Sequence, residues 1–155
     1  MKRRIFLKGT LAGSAVALAA GAGLLNPRQV LAAWPKSAFE AKGVAEAMKG
    51  IAGTDTAAGS TDIEIKAPDI AENGAVVPVK VDARKVSGVS AIAILAENNP
   101  TPLIANFKLG TSTQAFVSTR IKMGKTSNVI AVVTAAGGVT SARKEVKVTI
   151  GGCGG

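Results

Sequence analysis

The strongest nucleophile in this sequence is one thiol, Cys153, third from the C-terminus in the run Gly151-Gly152-Cys153-Gly154-Gly155. A free thiol with a pKa of about 8.5 is a few per cent thiolate at neutral pH, enough to be captured by an enzyme that supplies its own activating groups. With no neighbouring cation or helix start, Cys153 has little activation of its own. The four flanking glycines bury no side-chain area to offset the backbone entropy of ordering, so Gly151, Gly152, Gly154 and Gly155 predict a thin, mobile arm. At up to ~3.3–3.6 Å per residue, that arm carries the sulfur on the order of 10 Å beyond Ile150. The chemistry this geometry suits is covalent carriage, in which the thiol holds a cargo and enters clefts in other proteins.

The rest of the composition narrows the alternatives. There is no histidine and no tyrosine, so the commonest general base and a common metal ligand are missing. One cysteine makes neither an internal disulfide nor a thiolate-rich zinc site. A free-standing enzyme is therefore disfavoured, and the reading is of a non-enzymatic protein with no catalytic residues, no cofactor and no metal. The competing reading is an exported β-sandwich interaction or scaffold protein whose Cys153 forms an intermolecular disulfide. Lipid attachment fits neither end: a lipoprotein cysteine follows the signal directly, and a prenyl motif needs the cysteine fourth from the end.

Residues 1–33 read as a cleaved export signal. A basic start (Lys2, Arg3, Arg4, Lys8) precedes an uncharged Ala- and Gly-rich stretch from Gly9 to Leu25, and small residues surround Ala32-Ala33. Arg3-Arg4 followed by Ile5-Phe6-Leu7-Lys8 looks like a twin-arginine signal, which exports folded proteins. This predicts periplasmic localisation and no stable membrane association after cleavage. The full chain carries 19 basic and 10 acidic residues, a net +9. Losing Lys2, Arg3, Arg4, Lys8 and Arg28 with the signal leaves fourteen basic residues against ten, a net +4. With few aromatics and no long basic cluster, that balance argues against nucleic-acid binding.

The elements that must hold the arm follow from periodicity. Ser37 to Gly50 predicts one amphipathic helix, opened by a Ser37/Glu40 capping box and presenting Phe39, Val44, Ala47, Met48 and Ile51 on one face, with Gly50 and Gly53 ending it. From Thr61 onward the period becomes two. Strands are expected around Ile63 and Ile65, at Val77 to Val81, Val89 to Ala96, Leu103 to Leu109, Ala115 to Met123, Val129 to Thr134, and Val139 to Ile150. Turn signals fall between them at Glu72-Asn73-Gly74, Ser87-Gly88, Asn98-Asn99-Pro100, Gly124-Lys125 and Gly137-Gly138. The fold class predicted is mainly all-β: an immunoglobulin-like antiparallel β-sandwich of about seven strands with a short N-terminal helix and a flexible C-terminal arm. Its domain spans 34–150 and the arm 151–155. Pro78 cannot donate a ladder bond, which places its strand, or that point of it, at an edge or bulge.

Several stretches together resemble a known family. They are the ending Val146-Lys147-Val148-Thr149-Ile150-Gly151-Gly152-Cys153-Gly154-Gly155, the stretch Ala71-Glu72-Asn73-Gly74-Ala75-Val76-Val77-Pro78-Val79, the Asn99-Pro100-Thr101-Pro102 turn and, more weakly, Arg120-Ile121-Lys122-Met123. With the twin-arginine start, they are similar to the SoxY family, the sulfur-carrier subunits of the SoxYZ complex in thiosulfate oxidation. The resemblance implies an immunoglobulin-like fold, a heterodimer with SoxZ, and covalent substrate attachment at Cys153. It also implies transient partners: SoxAX to join thiosulfate to the thiol, SoxB to hydrolyse off sulfate and leave a persulfide, and SoxCD to oxidise the bound sulfur further.

Overall fold

The structure is a computed structural model that describes residues 35–149. The expected signal segment and the arm with Cys153 lie outside the described residues.

Among the described residues two short helices come first: α1 (Lys36–Glu40) and α2 (Val44–Ala52). Nine strands follow: β1 (Ala58–Gly59), β2 (Glu64–Lys66), β3 (Ile70–Ala71), β4 (Val77–Asp82), β5 (Val89–Ala96), β6 (Leu103–Lys108), β7 (Phe116–Ile121), β8 (Ser127–Ala135) and β9 (Gly138–Val148). They form two sheets. The larger runs β1-β9-β8-β5-β6, with β3 also paired to β9, and the smaller runs β2-β4-β7. The chain changes sheet between β4 and β5, between β6 and β7, and again between β7 and β8, so hairpins in the large sheet alternate with strands of the small one.

Side-chain alternation explains which faces are covered. In β4, Val77, Val79 and Val81 are fully buried while Pro78 and Lys80 are exposed, the pattern of a strand with one wet face. In β5 and β8 both parities are apolar. Ile92, Ile94 and Ala96 with Val129, Ala131 and Val133 meet β4 and β7 in one core, which also takes in Val146 of β9. Ala93, Leu95, Ile130 and Val132 point the other way, onto Ala38, Ala41, Ala47 and Met48 of the helical segment. A continuous apolar run is what a sheet covered on both sides requires. The architecture is thus a β-sandwich with a helical layer on its larger sheet.

Four expectations need correction. The single helix is two, broken at Ala41-Lys42-Gly43, and no side chain caps either start. Ser37 lies inside α1, and Glu40 pairs instead with Lys36 at 3.6 Å on the surface. The reach-back role belongs to Glu46 in the first turn of α2, whose carboxylate accepts from the Lys42 N–H at 3.2 Å. Gly50 does not end the helix. It lies within α2 where a Cβ would stand 2.7 Å from the Ala38 Cβ, so it is there to let α1 approach. Gly53, at φ 72°, is the residue that ends α2.

The sandwich is also not wholly antiparallel. β1 and β3, both two residues long, pair parallel with β9. Pro78 is the remaining case: its strand is central in the small sheet, but β2 pairs only as far as Lys80, so at Pro78 the strand has β7 alone as neighbour. The missing donor is tolerated at a point of locally open edge. The turn signals at residues 72–74, 87–88, 98–100 and 124–125 fall between strands, and Gly137-Gly138 spans the last turn residue and the first residue of β9, with Gly88 and Gly138 at positive φ.

Candidate functional site

Cys153, Gly151, Gly152, Gly154 and Gly155 lie beyond the described residues, and the structure describes the chain up to just before them. Strand β9 ends at Val148, and Thr149 is the last described residue.

The root of the arm is held from both sides. On one side the Lys147 N–H donates to the Asp69 carbonyl at 2.9 Å, and the Thr149 N–H donates to the Ala71 carbonyl at 3.2 Å. These extend the parallel β3–β9 pairing of Ile70 with Lys147 and Ala71 with Val148. Lys144 adds an ion pair to Asp69 at 3.1 Å. On the other side the Val148 N–H donates to Thr126 Oγ1 at 2.9 Å. Thr126 is itself positioned by Asn98, whose Nδ2 donates to the Thr126 carbonyl at 2.9 Å.

Neighbouring loops complete a collar. The Asn99 side chain bridges the turn after β7, donating to the Lys122 carbonyl at 2.8 Å and accepting from the Gly124 N–H at 3.0 Å. The Met123 N–H donates to the Gly74 carbonyl at 2.7 Å. Gly74 is a close-approach position: a Cβ there would collide with the Met123 carbonyl and stand 2.8 Å from Val148 Cγ1. The segments around Gly74, Asn99 and Met123, distant in sequence, thus meet around Val148.

The surface of this end combines apolar and basic groups. Ile70 is 58% exposed and Val76 is 51% exposed. Lys122, Lys125 and Lys147 are exposed and make no ion pair among the described residues; the exposed carboxylates at this end include Glu72 and Asp69, the latter paired with Lys144. One step beyond the Val77–Ile121 pair, the register brings Val76 level with Lys122. Sequence reading passed over Ile70 and Val76. The signal was their place in two-residue or turn segments, where a large apolar side chain has no core parity to satisfy.

A separate groove lies elsewhere on the body. A recess of about 600 Å³ lies at the opposite end of the sandwich, lined by Arg84, Val86, Val89, Leu109 and Gln114 among others. Beside it Arg84 is paired with Asp82 and stands 5.7 Å from the Phe116 ring centroid. Among the described residues no group of three or more His, Cys, Asp or Glu could hold a metal, and no helix is long and apolar enough to cross a membrane.

A family model described as sulfur oxidation protein SoxY matches residues 48–153, from within α2 through the cysteine. The chain belongs to the SoxY family. A solved structure of the sulfur carrier protein SoxY from Chlorobium limicola f thiosulfatophilum is 40% identical and superposes with a TM-score of 0.63, covering 75% of this chain and 100% of that one. The β-sandwich expected from the strand pattern is the fold observed, and it is SoxY-like, as the family resemblance implied. Two structures of superoxide reductase (neelaredoxin) from Ignicoccus hospitalis are 20% identical, with TM-scores of 0.49 and 0.48, and cover 56% of this chain and 79% and 80% of theirs. Likeness at that level carries no argument about chemistry. No curated protein matches the chain.

Proposed function

We propose that this protein is a covalent carrier of sulfur intermediates in thiosulfate oxidation, holding them on Cys153 and presenting them to partner enzymes. The observation that carries the reading is the family match extending through Cys153, joined to 40% identity with a protein described as a sulfur carrier. The anchored root at Val148 and Thr149 supports it, because a tether needs a fixed origin on a folded body.

In this reading the Cys153 thiolate and thiosulfate join in a two-electron oxidation, with the electrons passing to the haem enzyme SoxAX, to give a cysteine S-thiosulfonate. Hydrolysis by SoxB transfers the sulfonate group to water as sulfate and leaves a persulfide. SoxCD oxidises the remaining sulfur before a further hydrolysis returns the thiol. The protein supplies no catalytic group of its own; its contribution is the attached thiol, slender glycine neighbours and a partner surface for SoxZ. Residues 1–33 support export of the folded heterodimer to the periplasm by the twin-arginine route.

The test is to incubate the purified complex with thiosulfate and the oxidising enzymes and to weigh the C-terminal peptide. The expected result is added mass on the Cys153 peptide and complete loss of substrate-dependent turnover in Cys153→Ser. Turnover that survives the substitution, or a disulfide dimer as the active form with no sulfur adduct, refutes the reading.

A further inference from the structure

Ile70 and Val76, two of the three exposed large apolar side chains among the described residues, border the end of β9 from which Cys153 follows in sequence. Ile70 sits across from Lys147, and Val76 follows the Asn73–Gly74 turn that packs on Val148. Lys147 lies opposite Ile70, Lys122 follows the Ile121 partner of Val77, and Lys125 sits in the turn before Thr126, all exposed and without ion pairs among the described residues. Phe116, the third such side chain, lies at the other end of the sandwich against Arg84.

We propose that this end of the sandwich is the docking surface for the enzymes that act on the cysteine, and that its occupant is a cleft rim with apolar side chains flanked by carboxylates. The proposal rests on the carrier reading. Its main support is the length of chain beyond the structure. Cys153 is four residues past Thr149, a span of about 14 Å at full extension. A catalytic centre recessed by a comparable depth engages the sulfur only when the rim of its cleft comes against the surface that Thr149 leaves. That surface is Ile70, Val76 and the three lysines.

Its chemistry suits a visitor. Two apolar side chains exclude water from a small contact, while unpaired ammonium groups steer a carboxylate-bearing partner and add little to residence time. A carrier that must leave each enzyme needs that balance, since a large apolar interface would hold it.

The experiment is steady-state kinetics of the loading enzyme with the intact carrier complex as varied substrate. Two double variants are compared with wild type: I70D/V76D and K122E/K147E. A small aromatic disulfide reports the intrinsic reactivity of Cys153. The expected result for I70D/V76D is a KM raised by about tenfold with kcat within about twofold, and unchanged reaction with the small disulfide. K122E/K147E raises KM several-fold, and the wild-type KM climbs with salt. If I70D/V76D fails to fold, K122E/K147E carries the test alone, because both lysines are exposed.

A KM within about twofold of wild type in every folded variant overturns the docking surface. So does loss of the co-purified partner subunit from I70D/V76D, which would make the face a permanent subunit interface. Unchanged KM beside an inactive Cys153→Ser leaves the carrier reading standing and removes the docking surface alone. An active Cys153→Ser removes both.

Discussion

Thr126 Oγ1 accepts a hydrogen bond from the Val148 N–H at 2.9 Å, tying the last residue of β9 to the turn that leads into β8. Val148 is therefore pinned between Thr126 on one side and Ala71, its β3 partner, on the other. Thr149, the last described residue, follows this double attachment and donates its own N–H to the Ala71 carbonyl at 3.2 Å.

Thr126→Val keeps the shape and removes the acceptor. The bond is exposed to water, so the expected cost is at the low end for a hydrogen bond, about 0.5–1 kcal/mol. A drop in Tm of a few degrees, about 2–4 °C, would accompany it. The sharper readout is hydrogen exchange: the Val148 amide should exchange faster than in wild type while the amides of β5 remain protected. Thr126→Ser should restore protection, and a Val148 amide unaffected by Thr126→Val would show that the bond does not anchor the strand.

Gly74→Ala and Gly50→Ala are both expected to destabilise, for the same steric reason in different settings. A Cβ on Gly74 meets the Met123 carbonyl and Val148 Cγ1, and one on Gly50 meets Ala38 Cβ at 2.7 Å and Ala38 Cα at 3.0 Å. Each replacement should cost about 1–3 kcal/mol in denaturant unfolding. Gly50→Ala is the more telling, because alanine in an open helix would gain about 1 kcal/mol over glycine. Gly59→Ala, with nothing within 4 Å of the new Cβ, is the control. Stabilisation by Gly50→Ala would mean that α1 does not rest on α2.

Asp82 gives a pH signature. Hydrogen bonds from the Arg84 side chain, Nε to Oδ1 at 2.9 Å, and from the Arg84 backbone N–H at 3.1 Å hold its carboxyl down at about 2, against an ordinary 3.8. The unfolded chain then binds more protons than the folded one between those values, so the pair stabilises fully above 3.8 and its contribution fades as pH falls through about 2. Asp82→Asn should be less stable than wild type at neutral pH, with the gap closing across that window. Urea titrations from neutral pH down to about 2 measure it, and a gap independent of pH would assign the effect to something other than ionisation.

How much of this was legible in the sequence depends on whether a residue's role was set by its neighbours in the chain. Strict alternation in Val77, Val79 and Val81 announces a strand with one buried face, and Gly88 and Gly138 announce reversals, because each signal is complete within a few residues. Helix α2 was read past its true start because Phe39 and Val44 share an apolar face across the break, so periodicity continues where the backbone does not. The apolar runs Ile92 to Ala96 and Val129 to Val133 did hold the further message that the large sheet is covered on both sides.

The sequence by itself determined the sandwich, the position of the thiol and the family, since these depend on local period, composition and a terminal motif. Tertiary structure alone decided what surrounds the root of the arm. Strand β3 is two residues long and has no period to read; it exists because β9 offers it a parallel edge. Gly50 and Gly74 owe their places to atoms of Ala38, Met123 and Val148 that approach from elsewhere in the chain. Ile70, Val76 and the lysines at this end become one surface only when three chain segments close around Val148, because proximity between residues far apart in sequence is a property of packing.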